Sequence, residues 1–339
     1  MVKKNIKKIV IYFIAPFFFI LGICFIFLWN AVHFAETPFN LSGKNQTFTI
    51  NRGENLLTIS QNLFHEKLIK NSTMFRLMVR FKHQAGKLQA GEYMLSSAMP
   101  PEKILNIFVS GRVKLYKIVI PEGLNIEETA AIIERDGFGS KEKFIKLARD
   151  KKFAESLGIK SDSLEGYLFP ETYFFPKNTS EKKIIIQMVK EFNRVFTLKW
   201  RKRAKALGFS VHDIVTLASI IEKETGNAGE RPIISSVFHN RLKKNIPLES
   251  DPTVIYGIKN FNGNITRKDL NRKTPYNTYK IKGLPHGPIA NPGRLSIKAA
   301  LFPADTEYLF FVSKNDSTHK FSKTIREHNR AVRKYQLGK

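Results

Sequence analysis

Cysteine is almost absent from this chain. Cys24 is the only one in 339 residues, and it lies inside an apolar run near the N-terminus. A disulfide framework, thiol catalysis and a cysteine-based metal site are therefore excluded. Histidine is also sparse: the eight are scattered and none forms a His-x-x-x-His pair, so no metal is expected. No glycine-rich segment carries a Walker-type lysine and no serine sits in a nucleophile elbow, so neither nucleotide binding, a cofactor nor serine hydrolase chemistry is expected. Acidic residues are few, 29 against 56 Lys and Arg, for a formal net charge of +27. Such a chain is drawn to polyanions. The basic residues lack the aromatic interleaving of a nucleic-acid binder, so no nucleic-acid partner is expected. Outside a membrane, anionic headgroups or an acidic envelope polymer fit better.

One long apolar run is present. It extends without charge from Ile9 to Trp29, close to the roughly 20 residues that span a bilayer. Lys3, Lys4, Lys7 and Lys8 precede it and Glu36 is the next charge. The positive-inside rule places residues 1–8 in the cytoplasm as a tail, 9–29 in the lipid bilayer as a single-pass anchor, and the rest outside the cytoplasmic (inner) membrane. A cleaved signal peptide is the alternative, but its apolar core is shorter, about 7–15 residues, and Ala31-Val32-His33 is a poor cleavage site.

Residues 30–45 read as a polar tether. Residues 46–113 follow a β-α-α-β order: a strand before Gly53, a helix after it, helical patterns over Asn71–Phe81 and Pro101–Ser110, and a returning strand at Ala90–Leu95. This order resembles a LysM domain, a module that binds N-acetylglucosamine-containing glycans. Ile50, Gly53, Asn55 and Leu56 are echoed by Ile120, Gly123, Asn125 and Ile126, which suggests a second small α/β unit over 114–160. Leu164–Pro176 is aromatic-rich with two prolines, a poor helix that serves equally as a cleft wall or a core loop. Residues 182–245 form a helical block. Asn227–Glu230 reads as a capping box opening a helix toward Lys243, with Ile234, Val237, Phe238 and Leu242 as its buried face. Segments 247–257, 274–279 and 283–293 are turn-rich, and the last holds three Gly and three Pro. A short helix at 296–302, a strand at 308–313 and a terminal helix at 324–335 close the chain. The fold class is α+β, with residues 161–339 as a mixed α/β domain carrying a loop-rich cleft.

The segment Leu217-Ala-Ser-Ile-Ile-Glu-Lys-Glu-Thr-Gly226 is the most chemically pointed. Ile214, Leu217, Ala218 and Ile221 recur at helical spacing and define a buried stripe. Ser210 with Asp213 reads as a capping box at the start, and Gly226 as a C-cap. Glu224 continues the edge of the stripe. Glu222 points roughly 200° away around the helix and, beside Lys223, reads as solvated charge. Apolar surroundings and the C-terminal end of a helix dipole both raise the pKa of Glu224, as a general acid requires.

Ala218-Ser-Ile-Ile-Glu-Lys-Glu224, Ser250-Asp-Pro-Thr-Val-Ile-Tyr256, Tyr276-Asn-Thr-Tyr279 and Gly287-Pro-Ile-Ala-Asn-Pro-Gly293 occur in an order that resembles the YceG-like (MltG) endolytic murein transglycosylase family. The resemblance covers nearly all of the chain after the anchor. It implies endolytic cleavage of the β-1,4 bond between N-acetylmuramic acid and N-acetylglucosamine in nascent peptidoglycan strands. The product end is 1,6-anhydro-muramic, and peptidoglycan synthases are the expected partners. It makes Glu224 the catalytic acid and base. Glu222, Asp251, Tyr256, Tyr276, Asn277, Tyr279 and Asn291 are the expected substrate-binding residues, each also readable as a loop anchor. One departure is His286, where the family pattern has proline. Two other readings remain open: a non-catalytic glycan-binding scaffold, and a muramidase with Asp251, Glu222, Glu165 or Glu171 as second carboxylate.

Overall fold

The computed structural model describes residues 15–258 and 261–338. The expected tail 1–8 and the start of the apolar run, 9–14, lie outside them. The architecture is mixed α/β with an apolar N-terminal helix, and it divides into two compact units, Met1–Tyr116 and Lys117–Lys339.

In the first unit, helix α1 (Ala15–Glu36) is apolar and unburied along the stretch long enough to cross a membrane. It runs past Trp29, so residues 30–36, read from sequence as tether, are helix. The reason is packing: Ala35 is buried and Phe34 lies against the core of the unit. Strand β1 (Asn45–Ile50) follows, then α2 (Leu56–His65), α3 (Ser72–Phe81), β2 (Gly91–Ser96) and α4 (Pro101–Ser110). β1 and β2 pair antiparallel, from Asn45 opposite Ser96 to Ile50 opposite Gly91. Period-two alternation sends Phe48 and Ile50 inward, where they meet Leu63, Phe75, Tyr93 and Phe108. Asn55 and Asn71 cap α2 and α3 through their side-chain oxygens.

The second unit begins in strand β3 (Leu115–Val119) and repeats this opening. Gly53 and Gly123 take φ of +79° and +80°, a region glycine enters without steric cost. Asn125, like Asn55, caps the helix that follows, α5 (Ile126–Arg135), here within a complete capping box with Glu128. Helices α6 (Lys141–Ala148) and α7 (Lys151–Ser156) lead to strand β4 (Thr172–Pro176), which pairs with β3. The last five residues of the aromatic segment 164–176 thus form a short strand that the sequence did not announce.

Helices α8 (Glu181–Val195), α9 (Leu198–Ala206), α10 (Val211–Glu224) and α11 (Arg231–Lys243) build the block. α10 is its central helix: every residue from Ile214 to Ile221 is buried, so it is apolar all round rather than along one stripe. Its neighbours are α11, short α12 (Asp251–Tyr256) and, beyond α13 (Arg267–Asn271), helix α14 (Arg294–Leu301). Strands β5 (Phe310–Ser313) and β6 (His319–Ser322) form an antiparallel hairpin, with Ser313 opposite His319, and α15 (Ile325–Gln336) packs on it.

Candidate active site

α10 delivers Glu224 at its last position. The helix starts as expected: the Ser210 side chain accepts from the Asp213 amide and Asp213 accepts from the Ser210 amide. It ends differently. Thr225 turns extended, with φ −149° and ψ 135°, and Gly226 is not left-handed. The chain is held instead by the Asn227 amide donating to Thr225 Oγ1 at 3.0 Å and the Gly229 amide to Asn227 Oδ1 at 3.0 Å. Asn227 therefore makes a local turn and not a capping box; α11 has Glu230 at its N-cap with no side-chain cap, and Pro232 near its start.

The Glu224 carboxyl accepts a short hydrogen bond from the Ser250 hydroxyl. Burial raises its pKa to about 7. The nearby Asp251 charge adds to the rise, while the Ser250 hydrogen bond and the Arg241 guanidinium oppose it. Ser250 is fixed by its own amide, which donates to Thr278 Oγ1 at 3.0 Å, and Thr278 in turn shares a 2.8 Å hydrogen bond with Thr253. These contacts bind the start of α12 to the Tyr276–Tyr279 loop. On the same loop the Tyr279 hydroxyl donates to Asp251 Oδ1 at 2.7 Å. Glu224, Ser250, Asp251 and Tyr279 thus share one end of α12. Glu224 faces an open cleft of about 760 Å³, lined also by Asn227, Ser313, Asp316, Thr318 and His319. His319 is held at that wall by Glu230, Nδ1 to Oε2 at 2.7 Å.

The other end of α12 carries a second group. Tyr256 and Tyr276 pack ring on ring at 4.8 Å. The Tyr256 hydroxyl donates to Glu165 Oε2 at 3.0 Å, and the Ile126 amide donates to the same oxygen at 3.3 Å. Glu165 is 3% exposed, its Oε1 has no partner, and burial pushes its pKa up to about 7. A cavity of about 650 Å³ lies here, lined by Glu165, Asp162, His212, Tyr276 and His286. His286 is a loop residue: its amide donates to the Pro275 carbonyl at 3.0 Å and its ring is exposed.

Three of the expected binding residues lie inside the fold. Glu222 is not solvated charge: it forms a buried ion pair with Arg231 at 3.0 Å and accepts from the Gly293 amide at 2.8 Å. Asn277 is 1% exposed; its Nδ2 serves the carbonyls of Leu270 and Arg272, and its Oδ1 accepts from the Tyr279 amide. Asn291 is fully buried and ties Leu124 to Leu168. Asn277 and Asn291 are thus tied to loop backbone, and Glu222 to the starts of α11 and α14. Glu171 is exposed at the start of β4, where its Oε1 accepts from the Thr172 amide.

Sequence reasoning gave no role to Ser250 or Arg241. Arg241 is buried on α11, bridging Glu249 and the Pro247 carbonyl, both at 2.9 Å. Its signal was available: it follows Ile234, Val237 and Phe238 by seven, four and three residues, a charge on an apolar stripe. Ser250 had no such local signal. Among the described residues no group of three His, Cys, Asp or Glu is placed to hold a metal.

Comparison with known proteins bears on this arrangement. Residues 48–334 match the model of the YceG-like family. The chain is 37% identical over 303 residues to the endolytic murein transglycosylase of Bacillus subtilis (strain 168), covering 85% of this chain and 84% of that protein. It is 28% identical to the endolytic murein transglycosylase of Streptococcus pneumoniae R6 over 80% of its length, and spans 55% of that longer relative. Among solved structures, a 2.6 Å crystal structure of a yceG-like protein from Listeria monocytogenes is 37% identical and covers 84% of this chain and 98% of its own, with a TM-score of 0.59.

Proposed function

This chain belongs to the YceG-like family, and on that premise we propose that it is a membrane-anchored endolytic murein transglycosylase with Glu224 as its single acid and base. The observation that carries the role is the environment of Glu224: half-buried, held by Ser250, raised to about 7 and facing an open cleft. At neutral pH such a carboxyl exists in both protonation states, as one group that first gives and then takes a proton must. Glu224 donates its proton to the glycosidic oxygen as the bond from that oxygen to the muramyl anomeric carbon breaks. The muramyl 6-hydroxyl then attacks the same carbon, and the Glu224 carboxylate takes the hydroxyl proton. No water enters, and the acid is regenerated.

Asp251, set by Tyr279, places a negative charge beside the developing oxocarbenium ion. Tyr256, Tyr276 and Tyr279 offer ring faces and hydroxyls for sugar units. The β-α-α-β order of the first unit supports a LysM-like glycan-binding role for residues 46–113. The four lysines before the apolar helix support a cytoplasmic N-terminus, with the chain after the helix outside the membrane, where nascent strands leave the synthases.

The test incubates full-length protein with uncrosslinked peptidoglycan strands beside the Glu224→Gln variant, with products read by mass spectrometry. Internal fragments ending in 1,6-anhydro-muramic acid, lost in the variant by at least ~100-fold, are the expected result. Ends heavier by one water would replace the transglycosylase with a hydrolase using Asp251. Cleavage that survives in Glu224→Gln would remove Glu224 from the chemistry.

A further inference from the structure

We propose that the first unit holds a phospholipid acyl chain in a groove between α1 and α3, so that this unit is seated in the outer surface of the bilayer and does not hang from a flexible stalk. The inference rests on the reading of α1 as a bilayer-spanning helix.

α3 carries two apolar stripes. Phe75 and Val79, fully buried, face the core of the unit. Met74, Leu77, Met78 and Phe81 follow the i, i+3, i+4, i+7 spacing of a second face. On it Leu77 is 41% and Phe81 80% exposed, and with the groove beside them they form one contiguous apolar face, the kind that marks an interaction surface. Opposite that face runs the end of α1. A groove of about 530 Å³ lies between them, walled by Leu28, Ala31 and Val32 on one side and Met74, Leu77 and Phe81 on the other.

What fills the groove follows from where α1 must be. If α1 spans the membrane, Trp29 is at headgroup level, the usual depth of interfacial tryptophan, and Leu28 to Val32 lie within about 5 Å of that level along the helix. α3 packs against α1, and the groove they share is lined by this part of it. The attachment is firm, because Phe34 joins the core and Ala35 is buried. The exposed stripe of α3 therefore lies where amphipathic helices bury an apolar face, at the boundary between headgroups and acyl chains. Arg80 and Lys82 also line the groove, as do the carboxylates Glu36 and Glu102. Lys82 pairs with Glu102, while Arg80 has no ion-pair partner among the described residues and suits a phospholipid phosphate. The occupant that meets both an apolar wall and a phosphate-binding rim at this depth is a bilayer lipid.

The test uses the full-length protein with Cys24→Ala and one nitroxide-labelled cysteine, reconstituted in phosphatidylcholine vesicles. Power-saturation electron paramagnetic resonance compares collisions with oxygen, which concentrates in lipid, and with a water-soluble nickel chelate. Labels at Phe81→Cys and at Leu77→Cys are expected to favour oxygen several-fold, as is a label at Phe19→Cys in the middle of the apolar run Ile9–Trp29. A Phe19 label in lipid with Phe81 and Leu77 labels in water would overturn the groove and leave the anchor intact. Labels at 77 and 81 shielded from both reagents would mean that a second copy covers the face, which also overturns it. A Phe19 label in water would overturn the anchor reading, and the groove with it.

Discussion

At the scale of single residues, the chemistry of Glu224 is set by a balance of one carboxyl with its neighbours. Burial and Asp251 favour the protonated form; Ser250 and Arg241 favour the charged one. Removing a group that favours the charge must raise the pKa further. On the proposed role of Glu224 as the acid, the protonated form is the active one, so activity falls as pH rises through that pKa. Ser250→Ala is accordingly expected to move the alkaline limb of kcat/KM upward in pH, while the loss of a positioning hydrogen bond lowers the maximum rate. A variant whose limb stays in place or moves down would show that Ser250 does not hold Glu224 in the working enzyme. A pH profile of anhydro-product formation decides it. The position of Glu224 at the end of a helix was legible in the sequence, because it follows from spacing and the capping box at the start. Ser250 was not: its contact closes a loop of 26 residues, and no local pattern records which serine a distant helix end will meet. Glu222 was misread for a related reason. Its angular position on α10 was right, but α10 is buried on all sides, so pointing away from Glu224 does not mean pointing to water.

At the scale of elements, the starts were easier to read than the stops. The Ser210–Asp213 capping box forms as the sequence states, and Ser210→Ala is expected to lower stability by about 1 kcal/mol, read as a lower urea midpoint with an unchanged m-value. The strand-turn-helix echo between residues 50–56 and 120–126 is equally local, and both copies show a left-handed glycine followed by a capping asparagine. Gly123→Ala would force an alanine to φ near +80° at a cost of about 1–2 kcal/mol. Space is not the obstacle, since the nearest atom to the added Cβ is 3.6 Å away. A melting temperature unchanged by Gly123→Ala would show that the turn relaxes. Helix α12 was hidden because segment 247–257 was read as turn-rich, whereas at the first turn of a helix a proline such as Pro252 is well tolerated. Strands β4 and β6 were hidden because four or five residues carry little periodicity and their partners are what define them.

At the scale of the whole molecule, the second unit carries two acids whose folded pKa desolvation raises to near 7, the buried Glu165 and the half-buried Glu224. Each binds its proton more tightly folded than unfolded. The folded state is therefore favoured fully below the unfolded value, near 4.5, and loses that advantage as pH rises through about 7. For Glu165, which is 3% exposed, a rise of this size corresponds to at most roughly 3 kcal/mol. The charge has nowhere to go: one oxygen takes the Tyr256 and Ile126 donors and the other has no partner. A glutamine cannot ionise, so Glu165→Gln is expected to remove much of the stability difference between pH 5 and pH 8, gaining at the higher pH and gaining nothing at the lower. Trp200 lies on α9 in the second unit, while the other tryptophan, Trp29, lies in α1. Urea unfolding followed by the fluorescence change of Trp200, with Trp29→Phe as background, isolates the unit that holds Glu165. If the pH dependence is as steep in Glu165→Gln as in the parent, the carboxylate is already matched by its surroundings at neutral pH. The slope would then belong to Glu224, whose Glu224→Gln variant should flatten it instead.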